Sequence, residues 1–268
     1  SYAWLRDGTA ISGATTATYT LTTADAGRAI TVQVSGTGTG YDAASATSAA
    51  IGVASGTITT ATPTISGTAQ VGKVLTAATG TWSPMPSSFA YAWLRDGIAI
   101  VGATSATYTL VADDFGHGIS VQVSGTVSGY ATATATSAAT AAVTAGTITT
   151  TKPTISGTAQ VGQTLTAGVA GWSPLPASLA YSWVRNGTAI SGATNSTYTL
   201  TSADLGATIS VIAAGSVSGY ATASSTSDAT AAVVAGTFSS GTPVISGNAS
   251  LGSTLTVTTG TWTPTPDS

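Results

Sequence analysis

Tyr91-Ala92-Trp93-Leu94-Arg95-Asp96-Gly97 decides the fold of this chain. Large and small side chains alternate from Tyr91 to Leu94, the two-residue period of a strand with one buried face. Asp96-Gly97 then supplies a dipeptide that tolerates positive φ and closes tight hairpins. The same stretch returns as Tyr2-Ala3-Trp4-Leu5-Arg6-Asp7-Gly8 and as Tyr181-Ser182-Trp183-Val184-Arg185-Asn186-Gly187. Trp4, Trp93 and Trp183 therefore stand 89 and 90 residues apart. A fixed period of self-similarity marks an array of like modules.

Residues 56–145 hold one whole period. Residues 62–67 are a short extended piece whose Pro63 suits an edge strand. Val71-Gly72 marks a turn, residues 74–81 read as a strand, and a loop runs from Trp82 to Ser88. Ile98 to Ile100 returns from the hairpin, Thr107 to Leu110 alternates, and Asp114-Phe115-Gly116 turns. Ile119, Val121 and Val123 face one way, with Ser120, Gln122 and Ser124 facing the other. Gly129-Tyr130 turns again. Residues 132–143 alternate Thr or Ser with Ala. Alanine there favours a helix, but threonine is a poor helix former and a good strand former, so the stretch is assigned to strand. About seven short strands per period, with no helix, make an all-β immunoglobulin-like sandwich.

Composition narrows the function. Of the 268 residues, 43% are apolar and only 6% charged, against a usual charged share of about 25%. The net charge of −3 is too small to steer nucleic acid or an anionic membrane. With no cysteine there is no disulfide and no thiolate metal site. No apolar stretch approaches the ~20 residues of a membrane-spanning helix. Abundant Thr, Ala, Ser and Gly with scarce Lys fit an extracellular or cell-surface bacterial protein. Neither an initiator Met nor a signal peptide opens the sequence, which points to a mature or excerpted part of something longer.

The order Pro-x-Ile-Ser-Gly, Val-Gly-x-x-Leu-Thr, Gly-x-Trp, Tyr-x-Trp-Leu-Arg-Asp-Gly, Thr-Tyr-Thr-Leu, Asp-x-Gly and Ile-x-Val-x-Val resembles the tandem immunoglobulin-like repeats of large bacterial cell-surface and secreted proteins, of adhesin, stalk or fibre type. The resemblance spans the chain. It implies that Trp4, Trp93 and Trp183 are the core tryptophans of strand C, and that Asp25, Asp114 and Asp204 lie in the turn before strand F. Antibody-type cysteines are absent, and Ala29, Gly118 and Thr208 stand where a tyrosine would follow that turn. Fold does not carry function by itself.

The side chains give little to catalysis. His117 is the only histidine, lies beside a turn and has no marked serine partner, so no hydrolase triad is read and no enzyme is expected. Glu is absent and the aspartates sit mostly at turns, which argues against a glycosidase pair and against calcium. No metal or cofactor is expected. The turn aspartates are read as bonding turn amides. Arg6-Asp7, Arg95-Asp96 and Arg185-Asn186 are read as hairpin chemistry with a surface arginine rather than as an anion site. Lys73 and Lys152 occupy different repeat positions, against a repeated isopeptide cross-link. Two aromatic sets remain: Trp82, Trp172 and Trp262 beside Pro-x-Pro, and Tyr41, Tyr130 and Tyr220 after Gly. In the sandwich these loops share one end. They are expected to contact the preceding repeat, with a sugar-stacking platform as the alternative.

The phase of the repeat supplies the remaining expectation. Residues 1–55 carry strands C to G of one repeat, residues 56–145 and 146–235 carry whole repeats, and residues 236–268 carry strands A and B. Ser268 aligns with Ser88, and Ser1 with Ala90. Short links predict touching neighbours and a semi-rigid rod. A two-strand remnant would expose an apolar face and open edges. The expected partner is the protein itself, as a head-to-tail polymer or a longer covalent array. The expected role is a structural filament or stalk. The alternative is an adhesin or carbohydrate-binding array on surface glycans, with neither nucleic acid nor membrane insertion.

Overall fold

The computed structural model describes residues 1–266. Among them the regular structure is antiparallel β-sheet, apart from single 3₁₀ turns at Thr23–Asp25, Ala112–Asp114 and Ser202–Asp204. Among the described residues no helix is long and apolar enough to cross a membrane. The chain forms two compact units, Ser1–Gly146 and Thr147–Ser268.

In the second unit, one sheet runs in the order Thr154–Ser156, Thr164–Gly168, Thr197–Thr199. The other runs Thr188–Ala189, Ser178–Arg185, Ile209–Ser216, Ala223–Thr226. Ile209, Val211 and Ala213 alternate with more exposed neighbours and are fully buried. Ile209 and Val211 face a core that includes Leu165, Trp183, Leu200 and Val233. Period-two alternation thus gives each sheet one apolar face, and the two faces close on each other. The first unit repeats this arrangement at residues 56–146. Thr64–Ser66, Val74–Ala78 and Thr107–Thr109 form its smaller sheet. Ile98–Ala99, Ser88–Arg95, Ile119–Thr126 and Ala133–Thr136 form the larger.

Residues 132–143 contain no helix, but only Ala133–Thr136 joins the ladder. Beyond it the hydroxyls stand in for backbone carbonyls. The Val121 amide donates to Ser137 Oγ at 3.0 Å and the Ile119 amide to Thr140 Oγ1 at 3.1 Å. The chain therefore stays extended without regular pairing until Val143 bridges Phe115 in parallel. The hairpins hold as expected, with φ of 47°, 48° and 47° at Asp7, Asp96 and Asn186. Their Oδ1 atoms accept the amides of Ala29, Gly118 and Thr208, each at 2.9 Å. Only an acceptor oxygen is needed there, which is why asparagine replaces aspartate without changing the turn.

The remaining residues build partial arrangements. Residues 1–55 form one sheet from Tyr2–Arg6, Thr9–Ala10, Ala29–Gly38, Tyr41–Thr47 and Ile51–Gly52. Residues 18–20, the counterpart of Thr107–Thr109 and Thr197–Thr199, form no strand. Val244–Gly247 and Leu255–Thr258 pair only with each other.

Candidate functional site at the repeat ends

Trp82 and Trp172 are internal to their own repeats, a correction to their expected place between repeats or at a ligand. Trp82 and Trp172 are only 2% and 5% exposed. Trp82 lies edge-on to Phe89, with centroids 5.3 Å apart, and its Nε1 donates to the Thr79 carbonyl at 2.8 Å. Trp172 forms a second small core with Ile148 and Ala213, against which Tyr220 packs. Tyr130 lies over Gly56 of its own repeat. Folding the Pro-x-Pro loop back over the sheet end buries the indole and satisfies its single donor. Trp262, 39% exposed, touches only Phe238 among aromatic rings, and Tyr41 is 84% exposed.

Glycine makes room for these indoles. A Cβ on Gly125 would lie 2.6 Å from Pro86 and 3.0 Å from Trp82; one on Gly215 would lie 2.7 Å from both Pro176 and Trp172. Gly36 holds the same repeat position and has nothing within 4 Å. Gly215→Ala is expected to destabilise residues 147–235 by about 1–3 kcal/mol through overpacking, whereas Gly36→Ala should change stability by less than about 0.5 kcal/mol. Urea unfolding resolved by hydrogen exchange measures both; equal effects would contradict the packing.

Each turn aspartate is the centre of a buried network. Asp25, Asp114 and Asp204 are fully buried. Arg6, Arg95 and Arg185 reach them through Nε at 2.7, 2.8 and 2.6 Å, and so are not the free surface arginines read from the sequence. Tyr19, Tyr108 and Tyr198 donate their hydroxyls at 2.9 Å. The amides of Thr22, Val111 and Thr201 complete the shell. The recurring Tyr of Thr-Tyr-Thr-Leu, 6 residues before the Asp, was the sequence signal for this partner. Burial, then the bond to Asp114, pushes the Tyr108 hydroxyl up to about 12. For Asp25 and Asp204 burial favours the neutral acid, but the Thr amide, the arginine and both hydroxyls outweigh it and hold the carboxyl below its ordinary range.

The sign of the pH effect follows. A carboxyl held down in the fold stabilises it above the unfolded value near 3.8, and this is lost as pH falls through the lower folded value. Carboxylate carbon shifts should show Asp25 still ionised at about pH 3.5, where an unfolded aspartate is mostly protonated, and Asp204 titrating below the ordinary aspartate value. Protonation at the ordinary value would contradict the network.

Within the first unit the repeats meet at the Gly129-Tyr130 turn. A Cβ on Gly129 would lie 2.8 Å from Thr23 Cα, so this turn rests on the 3₁₀ turn of the preceding repeat. Gly56 bonds to the same turn, donating to the Gly129 carbonyl and accepting from Ala131, both at 2.9 Å. Glycine is required because a side chain would separate the two backbones. The link is thus short and doubly tied.

The apolar faces of the partial sheets are open. Leu21 is 53% exposed, whereas its counterparts Leu110 and Leu200 are 1% and 2% exposed. Leu255 is 52% exposed, whereas Leu75 and Leu165 are fully buried. Trp93 and Trp183 are fully buried, but Trp4 only partly. Among the described residues no three His, Cys, Asp or Glu side chains gather as metal ligands do. His117 pairs only with the exposed Asp96, at 2.6 Å.

No family model matches the chain, and no curated protein matches it. Among solved structures, it is similar at 12% identity and TM-score 0.34 to a calcium-stabilised adhesin with which an Antarctic bacterium binds ice, over 94% of this chain and 68% of that one. It is similar at 18% identity and TM-score 0.27 to the three N-terminal domains of the highly immunogenic outer capsid protein of bacteriophage RB49, over 87% of this chain and 88% of that one. With the tandem Ig repeats of Dlar it shares 16% identity at TM-score 0.20, over 62% of this chain and 94% of that one.

Proposed function

We propose that this chain is a structural segment of an extracellular or cell-surface array of immunoglobulin-like repeats, a stalk or fibre of bacterial type. The observation that carries this reading is the junction in the first unit, where Gly129 rests on Thr23 and Gly56 ties the link to the same turn. Such a contact sets the angle between neighbours, and repetition of one sequence repeats that angle. The open faces of residues 1–55 and 236–266 belong to sandwiches completed by a matching half, contributed by a neighbouring chain or by further repeats of a longer one. The role is mechanical and has no chemical step. Burial of Trp82 and Trp172 in their own repeats weighs against the alternative, an adhesin that stacks sugars on these rings.

Electron micrographs of native material test the proposal, with thin unbranched fibres or stalks as the expected result. Dispersed single particles, or specific affinity for one surface glycan, would overturn it.

A further inference from the structure

We propose that residues 143–145 and 233–235, the last of each whole repeat, form the seam that resists tension, and that Gln70 and Gln160 anchor it. This rests on the array reading and adds where in each repeat the load is carried.

Tension on an array enters a repeat through its first strand and leaves through its last residues. Those last residues are bonded on two sides. On one side the Gly116 amide donates to the Val143 carbonyl and the Val143 amide to the His117 carbonyl, both at 2.9 Å. On the other the Val71 amide donates to the Thr144 carbonyl at 3.0 Å and the Thr144 amide to the Ala69 carbonyl at 2.9 Å. Gly116 and His117 lead into Ile119–Thr126 of the larger sheet. Ala69 and Val71 lead into Val74–Ala78 of the smaller. The departing chain therefore stitches the two sheets together. Residues 147–235 repeat every stitch. Gly206 and Ala207 bond Val233, both at 2.8 Å, while Val161 and Ala159 bond Val234 at 3.0 and 2.9 Å. Val143 and Val233 are each 2% exposed, so the seam is held by packing as well.

Direction matters as much as number. Gln70 bridges Thr144, and Gln160 bridges Val234, in parallel. In a parallel pair, a pull toward the N-terminus of one strand and toward the C-terminus of the other acts in opposite senses along one line. The bonds between them are loaded in shear, all at once. An antiparallel hairpin pulled by its two adjacent ends opens one bond at a time. The glutamines close the seam at the end that load reaches first. Gln70 Nε2 donates to the Ala145 carbonyl and Gln160 Nε2 to the Ala235 carbonyl, each at 3.0 Å. Both carbonyls belong to the final residue of a repeat. Tension arriving there meets a side-chain bond before it reaches the backbone stitches.

Forced unfolding reports a rate rather than an equilibrium stability. Held at constant force by handles on its termini, the chain should lengthen in two steps of about 300 Å each, one for each whole repeat. Methionine has the reach of glutamine without its donor. Gln70→Met should shorten the lifetime before one step about fivefold, and Gln160→Met the lifetime before the other, each through one hydrogen bond lost on the load path. In urea without load the same variants should change the unfolding rate by less than about twofold, because an unloaded repeat can open from any edge. Unaltered lifetimes under force would overturn the seam. So would equal acceleration with and without load, the mark of a contact that only stabilises. Native fibres with lifetimes insensitive to both variants would sink the seam and leave the array; sensitive lifetimes in material that forms no fibres would sink the array and leave the seam.

Discussion

Trp183→Ala is expected to lower the stability of residues 147–235 by about 3–5 kcal/mol, the cost of removing a large aromatic from a packed core. The indole is fully buried among Leu165, Leu200, Ile209 and Val211, and its Nε1 donates to the Asn195 carbonyl at 2.9 Å. Truncation opens a cavity between the sheets and leaves that carbonyl without its partner. The rigid ladder from Ser178–Arg185 to Ile209–Ser216 limits collapse into the space. Trp4 is an internal control. It keeps the same bond, to the Thr16 carbonyl at 3.0 Å, but is only partly buried. In dilute chains Trp4→Ala should cost under half as much. Urea unfolding followed by hydrogen exchange in each repeat gives both values; equal losses would contradict the packing described here.

Asp204→Asn is the second large effect, at about 2–4 kcal/mol. The carboxylate accepts from Arg185, Tyr198, the Thr201 hydroxyl and the Thr201 amide. An amide of the same shape keeps one acceptor oxygen but turns the other position into a donor, facing donors in a closed site. Arg185 then loses its charge partner, though its partly exposed side chain can reach water. The Arg185→Gln variant and the double variant complete a thermodynamic cycle. The double variant should be less destabilised than the sum of the single variants. Strict additivity would mean that the pair does not act as a unit.

The sandwich was legible because each strand repeats a two-residue pattern and each hairpin carries Asp-Gly or Asn-Gly. Trp93 and Trp183 stood inside such patterns and read directly as core. Trp82 and Trp172 did not, since the period is lost before Pro-x-Pro and a loop tryptophan has no face. The sign of their burial was elsewhere: Gly36, Gly125 and Gly215 recur in the interior of a strand, where glycine marks a close approach. The arginine partner was hidden for another reason. Arg185 and Asp204 are 19 residues apart, and their meeting depends on a pairing between strands that neither local stretch announces. The hydroxyls of Ser137 and Thr140 looked like strand propensity and act as replacement acceptors.

The near-identity of register from repeat to repeat has a cost during folding. Any Val-Gly-x-x-Leu-Thr strand meets an equally good edge in its own repeat, in the next, or in another molecule. Refolding from denaturant at high concentration therefore produces swapped tangles alongside native chains, as similar neighbours do. Emergence of the chain from its N-terminus, one repeat at a time, gives each strand its own partner before a competitor is made.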